Sequence, residues 1–369
     1  MVDLAATYQH IADILSFKSN STALKDTLSH QKFNWDAIVV EGSRHLVLPA
    51  IYCRLKSKEL LHVLPKDLEV YLKDITQLNR SRNTLVLEQI KALSQLFNAH
   101  RITHVFLKGA GLLSGNFYED TAERMLGDID VLISEDQLDA AFELLKANGY
   151  DPIAQTFSHD FFEHKHLPRL KTNKAICAVE LHRKLFVTYH DQTLSSSNIL
   201  ASRQMVNGIS IPSVEHLARH NILNYQINDN GRLYNSLSFR SAYDTIVLLN
   251  HSNYQLPLLK DKKISSYFNI LAMFFEDIPK PYASTNFTTR FYRFKLKHLS
   301  FYKFWNRLLK IYHFMGILLG RIPYFLTNHT YRKALLKDRK RLLKLLKSFF
   351  KKQFIIIIFI NNLVSLFVL

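Results

Sequence analysis

Apolar and polar positions follow a helical period over the first 100 residues of the chain. Between Leu60 and Phe97 apolar residues recur three and four positions apart, glycine is absent, and Pro65 is the only proline. Such spacing gathers the apolar side chains on one face of a helix. We therefore predict that residues 1–100 form a helical N-terminal region, made of several helices that pack against a sheet formed by later residues.

The period changes after residue 100, where short apolar runs alternate with helical segments. Strands are expected at His104–Leu107, Asp128–Ile133 and Ile176–Leu181, with further strand or hairpin segments at Gly149–Phe157 and Phe161–Leu170. Helices are expected at Ala110–Tyr118 and at Glu135–Asn148, the second of them capped by Ser134 and ended by Gly149. This alternation predicts a small α/β sheet in residues 101–190.

A helical pattern returns after the predicted sheet. It runs from Val214 to about Asn250 and assigns residues 191–287 to a helical part of the same unit. Arg240 and Asp244 lie four positions apart on one helix face, and we favour an ion pair between them over a substrate contact. A sheet between helical regions makes the predicted fold class α+β.

Three carboxylates fall on the predicted strands. Side chains alternate along a strand, so Asp128 and Asp130 share one face while the residues between and after them enter the core. Two like charges this close are tolerated mainly where cations neutralise them, and Mg²⁺ takes carboxylate oxygens together with substrate phosphates. Glu180 interrupts another apolar run, where an unpaired acid is costly. These residues predict a metal site, in preference to ordinary surface acids at a strand end.

The order of these motifs resembles a known family. The residues that carry the resemblance are Leu107-Lys108-Gly109, Arg124, Asp128-Ile129-Asp130 and Glu180-Leu181-His182. Over residues 85–250 the chain is similar to the uncharacterised bacterial nucleotidyltransferases of the polymerase-β-like nucleotidyltransferase superfamily. The resemblance implies a polymerase-β-like core, a small mixed sheet with helices, flanked by N- and C-terminal helical regions. The chain departs from the superfamily at Ala110, where a phosphate-contacting serine is usual, and in a longer spacer before Asp128.

The resemblance also implies a function. A nucleoside monophosphate would move from an NTP to a hydroxyl of an acceptor, which could be a small molecule, a sugar or a protein, and pyrophosphate would leave. Two Mg²⁺ ions, or Mn²⁺ in their place, would be held by the catalytic residues Asp128, Asp130 and Glu180. Nucleotide or acceptor would be bound by Lys108, Gly109, Arg124 and His182. The alternative is a membrane-associated binding or regulatory protein that keeps the fold without turnover.

Several binding residues have a structural alternative. Lys108 fits a surface lysine at a strand end as well as a phosphate ligand, and Arg124 fits an ion pair with a nearby acid equally well. His182 fits a hydrogen-bonded structural histidine somewhat better than an acceptor contact. The acids near enough in sequence to pair with Arg124 are Glu119, Asp120 and Glu123.

The net charge of +17 is concentrated at the C-terminal end. Residues 288–369 contain 18 lysines and arginines against one acid, Asp338, so the first 287 residues are neutral overall. That neutrality argues against a nucleic acid partner for the catalytic part. Phe354–Leu369 carries no charge and as a helix would span about 24 Å, short of the roughly 30 Å of a bilayer core. Residues 288–369 could bind nucleic acid, bind an anionic membrane surface, or form a solvated extension without a partner. We favour the membrane surface.

The cysteines, the N-terminal residues and a group of histidines bear on the cellular compartment and on whether the chain binds zinc. Cys53 and Cys177 are the only cysteines, and the N-terminus lacks the basic start of a signal peptide. We therefore expect a cytoplasmic protein that is peripheral on the inner face of the membrane. A zinc site is not predicted, because no cysteine or fixed fourth ligand accompanies the nearby histidines His159, His164 and His166.

Overall fold

The computed structural model describes residues 3–153, 161–162, 164–187, 194–252, 261–279 and 282–337, together with a few positions up to 347. The chain divides into two compact units. The first contains the described residues up to 153 and 164–293, and the second contains residues 161–162 and those from 294 onward. The finer domain boundaries at residues 100, 190 and 287 remain predictions.

Helices form the N-terminal part of the first unit, as predicted. They are α1 (Leu4–Leu15), α2 (Ser21–Leu28), α3 (Trp35–Arg44), α4 (Leu48–Ser57) and α5 (Lys66–Ala99), with a 3₁₀ turn at Leu61–Val63. Asp3, Asn20 and Asn34 begin the first three helices, because their side-chain oxygens accept backbone N–H groups that the first turn leaves unpaired. The buried face of α5, including Ile90 and Phe97, shares one hydrophobic core with the sheet that follows.

Among the described residues, five strands form one mixed sheet. They are β1 (His104–Phe106), β2 (Asp128–Ile133), β3 (Asp151–Pro152), β4 (Leu170–Lys171) and β5 (Ala178–His182), and their spatial order is β1-β2-β5-β4-β3. β2 and β5 run parallel, whereas the other neighbours are antiparallel. The three principal strands lie where the apolar runs predicted them. A mixed sheet between helices confirms the α+β class.

Two helices connect these strands. α6 (Lys108–Ser114) follows β1, and a 3₁₀ turn (Glu135–Gln137) with α7 (Leu138–Ala147) follows β2. α6 begins two residues earlier and ends four residues earlier than predicted. Gly149 has a φ of +82°, which glycine adopts without strain, so it ends α7 as expected. Ser134 does not cap the backbone; its hydroxyl bonds to Asp136 instead. Residues 154–160 of the predicted hairpin segments lie outside the described residues.

The helical pattern from Val214 to Asn250 is broken into several pieces. The elements after the sheet are α8 (Ser196–Ala201), α9 (Val214–Leu223), a π-helical turn (Asn224–Asn228), α10 (Gly231–Tyr234), α11 (Phe239–Ser252) and α12 (Lys262–Leu271). Asn230 and Asn235 adopt left-handed conformations at the ends of α10, so one continuous helix cannot form. A hairpin of β6 (Gln204–Val206) and β7 (Ile209–Ile211) was missed, although its Asn207-Gly208 turn is a strong hairpin signal.

The C-terminal elements are α13 (Phe287–Lys297), α14 (Leu299–Thr327) and α15 (His329–Lys337). Within the second unit, the ring of Phe162 lies 5.3 Å from that of Tyr324 and 5.5 Å from that of Tyr331, measured between centroids. Within the part of the chain that the structure describes, no helix combines the length and the apolar character needed to cross a bilayer. The apolar tail Phe354–Leu369 lies outside that part.

Candidate active site

The parallel pairing of β2 with β5 builds the site. In this register Asp130 lies opposite Glu180, and Asp128 lies opposite Ala178. β1 pairs with the other edge of β2 and leads directly into Lys108 at the start of α6. Because residues opposite each other on neighbouring strands project to the same face, the two carboxylates and the ammonium group converge there.

Asp130 is the centre of this cluster. Its Oδ1 lies 2.6 Å from Lys108 Nζ and 2.8 Å from His182 Nε2, and the residue is only 3% exposed. Burial alone would raise the pKa of Asp130, but the Lys108 charge and the His182 hydrogen bond hold it well below its usual range. Burial would likewise lower the pKa of Lys108, but Asp130 outweighs it and raises that pKa. Both groups are therefore ionised at neutral pH.

Glu180 contacts one guanidinium group and two imidazole groups. Its Oε1 accepts a hydrogen bond from Arg169 Nε, and its Oε2 lies 3.4 Å from His182 Nε2 and 3.9 Å from His166 Nε2. Burial opposes ionisation, but the His182 contact, with His166 and Arg169, lowers the pKa of Glu180 to about 2. Glu180 is therefore a carboxylate at neutral pH.

Asp128 is the most accessible of the three predicted acids. Its side chain is 31% exposed, and its Oδ2 accepts a hydrogen bond of 2.8 Å from Arg169 Nη2. Burial raises the pKa of Asp128, and the charges of Asp130 and Glu180 raise it further. One guanidinium group, that of Arg169, therefore joins the carboxylates of Asp128 and Glu180.

The residues best placed to share a metal ion differ partly from the predicted set. Among the described residues, Asp130, Glu180 and His182 form a buried group whose ligand atoms all lie within 4.8 Å of one another, and Asp128 is not part of it. The two carboxylates suit Mg²⁺ or Mn²⁺, whereas an imidazole is a more usual ligand of zinc or iron.

His182 also fits a supporting role beside a metal. Its Nδ1 is buried and has no hydrogen-bond partner within the described structure, while its Nε2 faces Asp130. That arrangement suits the tautomer with the proton on Nε2, which donates to Asp130 and fixes the orientation of its carboxylate. His182, for which the sequence favours a hydrogen-bonded structural role over an acceptor contact, thus lies against a candidate metal ligand.

Gly109 is closely packed inside the protein. A Cβ atom added there would come within 2.4 Å of Leu126 Cδ1 and 3.6 Å of Arg124 Cζ. The resemblance implies a nucleotide or acceptor contact at this glycine, and in the structure the Leu126 and Arg124 side chains occupy the space beside it. Its contact with a nucleotide stays a prediction.

Arg124 belongs to a buried ion-pair network. Its Nε lies 2.9 Å from Asp244 Oδ1, and the same oxygen accepts a hydrogen bond of 2.6 Å from the Tyr118 hydroxyl. The predicted pair of Arg240 with Asp244 is wrong, because Asp244 pairs with Arg124 instead. The nearby acids each have other partners: Glu119 pairs with Arg54, Asp120 with Arg80, and Glu123 with Tyr243.

Two further cations near the cluster make no direct ion pair with a described residue. The side chains of Lys165 and Arg240 are partly buried, and neither makes a hydrogen bond or ion pair with any described residue. Burial lowers the pKa of both groups; the charge of Lys108 adds to the effect on Lys165, and that of Arg124 to the effect on Arg240. Asp229 and other nearby carboxylates act on both groups without a direct ion pair, so an anion bound beside them would stabilise their charged forms further.

Sequence reasoning missed the residues that come from irregular segments and distant helices. Arg169, His166 and Lys165 lie in the segment before β4, which has no regular period, although its basic composition next to an acidic strand was an available signal. Asp244 lies 120 positions from Arg124, and no short-range pattern joins them.

A family model described as "Uncharacterised nucleotidyltransferase" matches residues 31–260, more than half of the sequence. The chain belongs to this nucleotidyltransferase family. The matched region includes every predicted site residue of the nucleotidyltransferase, together with Arg169 and Arg240, and ends before the C-terminal part of the second unit, which begins at residue 294. No curated protein matches the chain.

Proposed function

We propose that this nucleotidyltransferase is a metal-dependent enzyme with a polymerase-β-like core. It transfers a nucleoside monophosphate from an NTP to a hydroxyl of a small molecule, sugar or protein, and releases pyrophosphate. The observation that carries the proposal is the pairing of Asp130 with Glu180 on adjacent parallel strands, both buried and ionised, in a chain of this family. Lys108 at the same edge supplies a cation for phosphate.

Mg²⁺ is the proposed cofactor, as two ions, with Mn²⁺ as a substitute. Asp130 and Glu180 would hold them with Asp128, and His182 would keep the Asp130 carboxylate in position. When bound, such ions neutralise the negative charge on the phosphate groups during transfer.

The contacts of Glu180 favour a holding role. Its carboxylate accepts a hydrogen bond from Arg169 and lies 3.4 Å from His182 Nε2, and both contacts favour its ionised form. We therefore assign Glu180 to holding metal and acceptor in place, in preference to removing the proton.

Two unpaired cations complete the proposed phosphate site. Lys165 directly precedes His166, whose ring lies 5.2 Å from that of His182. Arg240 lies one turn before Asp244, the partner of Arg124. A triphosphate would give both groups a directly bonded anion, so we place it between Lys165, Arg240 and Lys108.

The test is nucleotidyl transfer itself. Purified protein is incubated with each α-phosphate-labelled NTP, Mg²⁺ or Mn²⁺, and a cell extract as the source of acceptors. The Asp130→Asn variant should lose about 100-fold or more of the transferred label. Asp136→Asn is the matched control, because Asp136 is an exposed acid beyond the other end of β2. Equal labelling by wild type and Asp130→Asn would contradict the proposal, as would the absence of both transfer and metal-dependent NTP binding.

We also propose that residues 288–369 bind an anionic membrane surface. α14 contains no acid, and basic residues such as Lys303, Arg307 and Lys310 share it with exposed apolar side chains such as Leu319 and Leu326, at 58% and 64% exposure. Anionic lipids attract the basic groups, and the apolar groups enter the headgroup region.

Vesicle sedimentation tests the membrane proposal. The full chain should sediment with vesicles that contain phosphatidylserine and stay in solution with phosphatidylcholine alone. The triple variant Lys303→Glu/Arg307→Glu/Lys310→Glu should sediment much less. Attachment through this segment would be refuted if the wild-type protein does not sediment with anionic vesicles, or if the triple variant sediments with them as much as the wild type does.

A further inference from the structure

Arg169 occupies an unusual position in the acidic cluster. Its Nη2 lies 2.8 Å from Asp128 Oδ2, and its Nε donates to Glu180 Oε1. These carboxylates belong to the neighbouring strands β2 and β5, so a single guanidinium group bridges the two strands where a divalent ion is expected. No other side chain in the described part of the molecule contacts both carboxylates.

The cluster needs cations whether or not metal is bound. Three carboxylates that converge on one face repel one another unless positive charge lies between them. In this structure Lys108 supplies that charge to Asp130, and Arg169 supplies it to the other two acids. Arg169 therefore does electrostatically what a metal ion would do at the same carboxylates.

The two cations differ in how easily they can leave. Lys108 has a side chain that is 25% exposed and pairs with an acid that is 4% exposed. The side chain of Arg169 is 49% exposed, so its guanidinium can leave the carboxylates and be hydrated by solvent. Its backbone is held by the sheet, since the Arg169 carbonyl accepts a hydrogen bond of 2.8 Å from the N–H of Ile153. A change of side-chain rotamer alone would uncover Asp128 and Glu180.

We propose that Arg169 is an exchangeable counter-cation of the acidic cluster: it holds Asp128 and Glu180 in the metal-free protein and is displaced when a divalent ion binds. This inference rests on the proposed function for its metal, and it adds that the ion and the guanidinium compete for the same oxygens. Metal affinity is then set partly by an intramolecular competitor, and removal of that competitor strengthens binding of the ion.

The experiment measures Mn²⁺ binding to the full chain without nucleotide, by titration calorimetry and by the loss of the free-ion signal in electron paramagnetic resonance. Arg169→Gln should bind Mn²⁺ at least about tenfold more tightly than wild type; the effect is limited by solvent screening of the half-exposed guanidinium. Arg169→Lys should fall between the two, because lysine keeps the charge but cannot bridge both acids with a planar fork.

Arg80→Gln is the matched control. Arg80 makes an ion pair of 2.6 Å with Asp120, outside the acidic cluster, so its loss should leave Mn²⁺ affinity unchanged. The inference is overturned if Arg169→Gln binds Mn²⁺ with wild-type or weaker affinity, and also if Arg80→Gln strengthens binding equally. Circular dichroism checks that each variant is folded, and Arg169→Lys carries the test if Arg169→Gln is not.

The transfer assay separates this inference from the proposed function. Transfer that depends on Asp130, together with unchanged affinity in Arg169→Gln, rejects the exchange and keeps the enzyme. Tighter Mn²⁺ binding in Arg169→Gln, with neither transfer nor metal-dependent NTP binding by any variant, rejects the enzyme and keeps the exchange.

Discussion

Replacement of Asp244 by asparagine should destabilise the first unit strongly, because it removes the only carboxylate that is paired with the buried Arg124 in the described structure. Asp244 is 1% exposed, and the Arg124 side chain is 11% exposed, so water cannot replace the lost charge. The Tyr118 hydroxyl also donates to Asp244, at 2.6 Å, and would lose a charged acceptor. The asparagine side chain has nearly the same shape, so the change tests charge with little change in packing.

The magnitude follows from the burial of both partners. Removal of one member of a buried ion pair costs about 3–5 kcal/mol, mostly because the other charge stays buried without compensation. The double variant Arg124→Met/Asp244→Leu removes both charges with apolar groups of similar size, so it should be less destabilised than the sum of its single variants by about 2–3 kcal/mol. This coupling distinguishes an ion pair from two independent packing defects.

Urea unfolding followed by circular dichroism measures these free energies, with Glu143→Gln as the control because its ion pair with Lys146 is exposed. A loss below about 1 kcal/mol in Asp244→Asn, or strict additivity in the double variant, would refute the reasoning. If Arg124→Met keeps near wild-type stability but binds NTP weakly, the predicted nucleotide contact of Arg124 gains support over its structural role.

Two further predictions concern pH and packing. Burial raises the pKa of Glu123 to about 7 from an ordinary value of 4.5, so the folded chain binds the Glu123 proton more tightly than the unfolded chain does. The free energy of unfolding should therefore fall by up to about 3 kcal/mol as pH rises from 4.5 to 7. Urea unfolding at several pH values measures this dependence, and Glu123→Gln should remove most of it. Gly111→Ala should cost about 1–3 kcal/mol, because its Cβ would lie 2.5 Å from the Phe106 carbonyl oxygen. Gly127→Ala should change stability by less than about 0.5 kcal/mol in the same assay, because nothing lies within 4 Å of its Cβ.

The strands of the sheet could be predicted because each combines an apolar run with a clear boundary. Asp128–Ile133 is observed with the predicted bounds, since Gly127 precedes it and alternation places its acids on one face and Ile129, Val131 and Ile133 on the other. The helices after the sheet were harder to predict, because Asn230 and Asn235 take left-handed conformations that apolar spacing does not encode. The Asn207-Gly208 hairpin could have been predicted from its turn residues alone.

The residues of the site likewise fall into those that the sequence predicted and those that it did not. Asp130, Glu180 and Lys108 were predicted together because β-strand alternation and one turn fix where they point. The partners of these residues depend on tertiary packing: His182 faces Asp130, and Arg169 bridges Asp128 and Glu180. Charge balance did indicate that cations must be present. It could not show that arginine and lysine provide them when metal is absent.

The charge of the cluster connects metal uptake with nucleotide binding. With Asp128, Asp130 and Glu180 ionised and only Lys108 and Arg169 paired to them, the cluster carries a net charge of −1, which repels a triphosphate. Exchange of the guanidinium for one divalent ion makes the same oxygens neutral overall, and a second ion makes the cluster positive. The displaced Arg169 then adds its charge to the phosphate side of the site. The NTP should therefore bind tightly only together with metal. In the metal-free protein Arg169 should stay paired with Asp128 and Glu180, and the NTP should bind weakly.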